Sequence, residues 1–126
     1  MGSFVVSLSI TLILVSFAVA TGFLARRKLH LFFVITGVSS LVITILYAEK
    51  LGRSYDLDAA GWITPLHLTI AKLTTLAFLG PIVTGVMTWR NYAHKALHRK
   101  LVFLALGMTV LALITGTWMI LASPRL

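Results

Sequence analysis

Two histidines stand four apart among basic residues in NYAHKALHRKL, and the run leads from His94 and His98 straight into apolar sequence. Two more, His30 and His67, stand near the starts of other apolar runs. Neutral imidazole is the commonest metal donor at physiological pH. The chain has no cysteine, which removes thiolate nucleophiles, iron–sulfur clusters, disulfides and covalent c-type haem attachment. What imidazoles in apolar surroundings can do is hold a haem iron, which needs two axial atoms from different helices at one depth. Among other side chains, Met119 could supply a thioether, and Lys72 could pair with a propionate or a quinone oxygen. No carboxylate pair, Ser-His-Asp order, phosphate-binding glycine loop or HExxH zinc motif is present.

The elements that must position these groups are membrane spans. Of the 126 residues 59% are hydrophobic and 11% charged, with a mean hydropathy of +1.00. That is too little polar surface for a water-soluble domain. A span needs about 20 apolar residues, and four stretches qualify: Phe4–Phe23, Leu31–Ala48, Leu66–Trp89 and Leu101–Ala122. The short first and third connections require antiparallel neighbours, so the expected fold is a single all-α membrane domain, a four-helix up-down bundle. Ala18-Val19-Ala20 mimics a signal-peptide cleavage site, yet no basic residue precedes the first apolar run, so a retained anchor is expected.

The net charge of +8 is concentrated in short connections beside the spans. Arg26, Arg27 and Lys28 occupy the first, and Arg90, Lys95, Arg99 and Lys100 the third. The positive-inside bias puts these two in the cytoplasm and both termini outside. The basic partners are therefore anionic lipid or other membrane subunits, and not nucleic acid. Lipid attraction accounts for the lysines and arginines, but neutral imidazoles add little to it. His30, His94 and His98 then share the cytoplasmic side, so His30 with His98 or His94 meets the depth requirement for one haem. His67 lies near the outer end of the third span, where Met119 is the available second ligand.

Several local features carry their own expectations. Thr64-Pro65 suits an N-cap and first helical position, and Pro81, after Gly80, should kink the third span. Asn91 is a cap for the fourth helix. Trp62, Trp89 and Trp118 fall at head-group levels as anchors. From His98 one helical face passes Ala105, Thr109, Ala112 and Gly116 to Met119, and from His30 another passes Gly37 and Thr44. Such small-residue stripes either leave room for a tetrapyrrole or let helices pack closely. Lys72 lies well inside the third span, where a lone ammonium costs at least about 2.5 kcal/mol. Snorkelling outward, pairing with a cofactor oxygen (with Tyr47 in a quinone site), or contact with another subunit would each relieve it.

LHRKLVFLALGMTVLALITGTW resembles a ligand-bearing helix of four-helix membrane b-type cytochromes, in which His-Arg precedes a span containing Thr-Gly. That resemblance implies one or two b-type haems held by His30, His67, His94 and His98. It implies electron exchange with a quinone or with a neighbouring centre of a respiratory or photosynthetic complex. The stretch from Pro65 to Leu101 is also similar to a four-helix bacterial membrane family linked to haem–copper oxidase assembly, where a histidine opens the third span. This chain departs from that family's pattern at Arg26 and Ala48, positions where histidine is usual. The second likeness implies a non-redox assembly or structural subunit of the bacterial inner membrane.

Overall fold

A computed structural model describes all residues, Met1–Leu126. The chain is all-helical, with four segments long and apolar enough to cross a membrane: Gly2–Phe23, Arg27–Gly52, Ile63–Arg90 and Tyr92–Ala122. It divides into two units, Met1–Ser54 and Tyr55–Leu126, each an antiparallel helical hairpin. Two such pairs are the parts an up-down four-helix membrane bundle requires.

The N-terminal unit joins α1 (Gly2–Phe23) to α2 (Arg27–Gly52). Its turn is a Schellman closure: Arg26 N–H donates to Thr21 O at 3.1 Å and Ala25 N–H to Gly22 O at 3.2 Å. Ala25 takes the left-handed conformation, φ 54°, that this closure demands. The helix–helix seam is hydroxylic. Ser7 Oγ lies 2.7 Å from Thr44 Oγ1, and Thr11 Oγ1 lies 2.6 Å from Ser40 Oγ and 2.9 Å from Thr44 Oγ1. Gly37 brings α2 onto Leu14 and Val15 of α1, and Phe17 stacks on Phe33 with ring centres 5.1 Å apart.

The C-terminal unit contains α3 (Ile63–Ala77), α4 (Leu79–Arg90) and α5 (Lys95–Ala122). The third span is thus two helices meeting at Phe78. Pro81 has no N–H to offer Ala77 O, so the backbone ladder lapses at that junction. Both segments pack on α5. Gly80 allows the approach, since a Cβ there would stand 3.2 Å from Leu101 Cδ1. Trp62 and Trp118, two of the expected anchors, meet edge-to-face at 5.2 Å. The connection after α2 is tied to the C-terminus by Asp56 N–H donating to Pro124 O at 2.9 Å.

Two expected helix starts are corrected. Helix α3 begins at Ile63, so Thr64 lies inside the first turn and is not its N-cap. Its hydroxyl instead donates to Leu57 O and anchors the preceding loop. Asn91 does cap, but it caps a 3-10 turn, Tyr92–His94, that runs into α5: its side-chain oxygen accepts from Ala93 N–H at 3.1 Å.

Buried positions are dominated by hydroxyls: Ser7, Thr11, Thr21, Thr44, Thr64, Thr74, Thr84, Thr115 and Ser123, against Ala18, Ile63, Ala105 and Met119 among apolar side chains. Large apolar side chains cover the outside. This inversion of the water-soluble pattern suits a hydrocarbon solvent, where the inward side chains supply close packing and hydrogen bonds.

Candidate functional site

Three of the four histidines occupy the same local arrangement. His30, on α2, points its Nδ1 at Ala18 O of α1, 2.7 Å away. A carbonyl oxygen only accepts, so Nδ1 carries the proton. His67, on α3, has Nδ1 3.0 Å from Thr115 Oγ1 of α5. His98, on α5, has Nδ1 3.1 Å from Thr84 Oγ1 of α4. Each hydroxyl already gives its proton to its own helix, Thr115 to Leu111 O at 2.9 Å and Thr84 to Gly80 O at 2.7 Å. Both threonines therefore accept from the imidazole. In all three rings the neutral form is Nδ1–H, with the lone pair on Nε2.

A glycine underlies each ring. A Cβ at Gly22 would stand 3.1 Å from His30 Cε1, one at Gly85 3.3 Å from His98 Cε1, and one at Gly116 2.8 Å from His67 Cε1. Three of the chain's four Thr-Gly dipeptides, Thr21-Gly22, Thr84-Gly85 and Thr115-Gly116, place their glycine under a histidine; in the fourth, Thr36-Gly37, the glycine meets Leu14 and Val15 instead. In the C-terminal unit the arrangement is reciprocal. His67 and His98 are 31 residues apart, and so are Thr84 and Thr115, so each arm carries one ring and one seat. The two seats lie at opposite ends of the hairpin. At its middle, Thr74 Oγ1 donates to Met108 O at 3.2 Å.

No family model, curated protein or solved structure matches this chain.

The remaining predicted site residues divide. His94 closes the 3-10 turn half-buried, with no threonine or glycine seat; of the basic pair, His98 is the one turned into the helix interface. Met119 is buried, 6% exposed, about one turn beyond Thr115 towards the end of α5. Lys72 is exposed on α3, and Tyr47 is 38% exposed on α2.

The structure separates the two uses of the small-residue stripes. Gly37 and Thr44 meet Leu14, Val15 and Ser7 of α1, Ala105 is 1% exposed, and Gly116 serves His67, not His98. These positions are packed within each hairpin and form no wall for a tetrapyrrole there. The reason is geometric: glycine admits the neighbouring helix or ring, so the space is filled as it is made. Nor do three or more His, Cys, Asp or Glu side chains gather into a metal-binding group. A haem iron asks for less, one or two axial donors. On the donor side the fit is good, because an imidazole whose Nδ1–H is held by a fixed oxygen presents a basic Nε2 in a defined orientation.

Proposed function

We propose that this protein is a membrane-embedded b-type haem electron-transfer subunit. The observation that carries the reading is the shared state of His30, His67 and His98, each donating Nδ1–H to a fixed oxygen and keeping its lone pair on Nε2. That is the form in which histidine ligates iron. His30 and His98, at the basic ends of α2 and α5, would each offer Nε2 to a haem iron, and His67 would mark a second site. When bound, haem supplies a one-electron iron couple. The chain's own part is to fix ring orientation through Ala18 O, Thr84 and Thr115, and to offer the arginines and lysines of the basic turns to propionates. The membrane is the bacterial cytoplasmic membrane, with the basic turns inside and both termini outside.

An absorption spectrum of the purified chain tests this. A dithionite-reduced α-band of b type is expected, abolished by His30→Ala or His98→Ala and kept in Thr84→Ser. A haem-free chain after expression with ample haem supply overturns the reading. It would instead favour a non-redox assembly or structural subunit, for which one observation speaks: the glycine seats already account for all three rings as packing between hairpin arms. Rescue of oxidase maturation by the haem-free chain would identify that role.

A further inference from the structure

We propose that the face of α3 centred on Lys72 docks a transmembrane helix of a different protein chain, one carrying an aspartate or glutamate inside its own span. Lys72 lies nine residues into α3, about 13 Å along its axis at 1.5 Å per residue. The far end of the same span, Arg90, is eighteen residues away. A lysine stem covers only part of the distance to either surface. The side chain is exposed and has no hydrogen-bond or ion-pair partner. It does not belong to the hairpin seam, because α3 meets α5 through His67 and Thr74. On a regular helix those residues lie about 140° and 160° round from Lys72.

The face around the ammonium has the composition of a helix-docking surface. Thr69 and Thr75, three residues before and after Lys72, are both exposed and satisfy their hydroxyls on their own helix, at Pro65 O and Ala71 O. Leu68, Leu73 and Leu76 are 45%, 50% and 61% exposed and flank them. The charge then specifies the occupant. An unpaired cation in hydrocarbon is costly and calls for an anion at its own depth, and a carboxylate answers with charge-assisted hydrogen bonds. A second copy of this chain brings none. Its three acidic residues are Glu49 in the last turn of α2 and Asp56 and Asp58 in the segment that follows. An anionic lipid carries its charge at the head-group level, not at this depth. The inference is independent of the haem reading, since Lys72 belongs to none of the histidine seats.

The test places a photo-cross-linking amino acid at Leu76 of the full-length chain in its native membrane. The expected result is a cross-link to one other membrane protein that has an Asp or Glu within a span. Lys72→Glu and Lys72→Met each lower its yield at least tenfold, and Lys72→Arg keeps it within twofold. Changing the partner's carboxylate to lysine restores the yield in the Lys72→Glu chain, which a folding defect would not permit. Cross-links confined to lipid or to a second copy overturn the proposal. So does a partner with no carboxylate in a span, or a yield that survives Lys72→Glu.

Discussion

His67 Nδ1 lies 3.0 Å from Thr115 Oγ1, and that hydroxyl's only proton is committed to Leu111 O, 2.9 Å away. The imidazole is therefore the donor, and its tautomer is set by a threonine 48 residues further along the chain. Replacing Thr115 by valine leaves the Nδ1–H without an acceptor, while serine keeps one. Interhelical hydrogen bonds in membranes average about 0.6 kcal/mol and reach about 1.7. Thr115→Val should lower unfolding stability in detergent or bicelles by that order, with Thr115→Ser near wild type. Nitrogen-15 NMR of the His67 ring supplies the second readout. In wild type Nδ1 is protonated and Nε2 is not, and Thr115→Val should lose that preference.

Gly116 and Gly107 lie on the same helix and answer differently to alanine. A Cβ at Gly116 would stand 2.8 Å from His67 Cε1, whereas at Gly107 nothing lies within 4 Å. Gly107→Ala should be neutral or stabilising, as alanine is the better helix former. Gly116→Ala must push the His67 ring out of its seat and off Thr115, so the same substitution is destabilising there. In a His67→Ala background the penalty should vanish. A double-mutant cycle of thermal unfolding measures that coupling; additivity of the two changes would contradict the seat.

The helices were legible because bilayer thickness writes itself into the chain as runs of about 20 apolar residues, and the lapse at Phe78 followed from Pro81 alone. Thr64-Pro65 misled because the favoured first-turn pair is also compatible with a helix that starts earlier, and the Thr64 hydroxyl found Leu57 O instead. The histidines stood out by type, but their seats did not. Each seat joins residues on different helices, from Gly22 and His30 to His67 and Thr115. A stripe followed along one helix cannot tell which neighbour fills it. Gly116, on the stripe that starts at His98, in fact receives His67. The Thr-Gly dipeptides at Thr84-Gly85 and Thr115-Gly116 pair a hydroxyl acceptor with a missing Cβ, as a buried imidazole needs. Thr36-Gly37 seats no histidine and His30 uses a backbone carbonyl, so the dipeptide is only a partial signal. Lys72 was conspicuous from the sequence, yet only its exposed place away from the α3–α5 seam gave the charge a direction.

Ala25 closes the α1–α2 turn at φ 54°, a conformation that costs a residue with a Cβ roughly 1–2 kcal/mol and costs glycine nothing comparable. Both backbone bonds of the Schellman closure depend on it. Ala25→Gly should therefore raise stability, by about 1 kcal/mol once the extra freedom of glycine in the unfolded chain is deducted. Ala25→Val should lower it, because a β-branched side chain tolerates this region worse still. Unfolding midpoints of the three chains, measured in one detergent, give the order Gly, Ala, Val if the turn is as described.

Membrane sidedness is testable directly because the chain has no cysteine of its own. Single cysteines at Ala25 in the first turn, Ala59 in the middle connection and Ala93 in the third report each connection separately, and all three positions are exposed. Arg26, Arg27 and Lys28 adjoin the first of these, and Arg90, Lys95, Arg99 and Lys100 surround the third. The middle connection balances its charges, with Arg53 near Asp56 and Asp58. The bias of basic residues towards the cytoplasm acts through short connections of this kind. An impermeant maleimide added to intact cells should label Ala59→Cys and spare Ala25→Cys and Ala93→Cys until the membrane is opened. Labelling of Ala25→Cys in intact cells would invert the topology, and would move His30 and His98 to the outer side together with the basic turns.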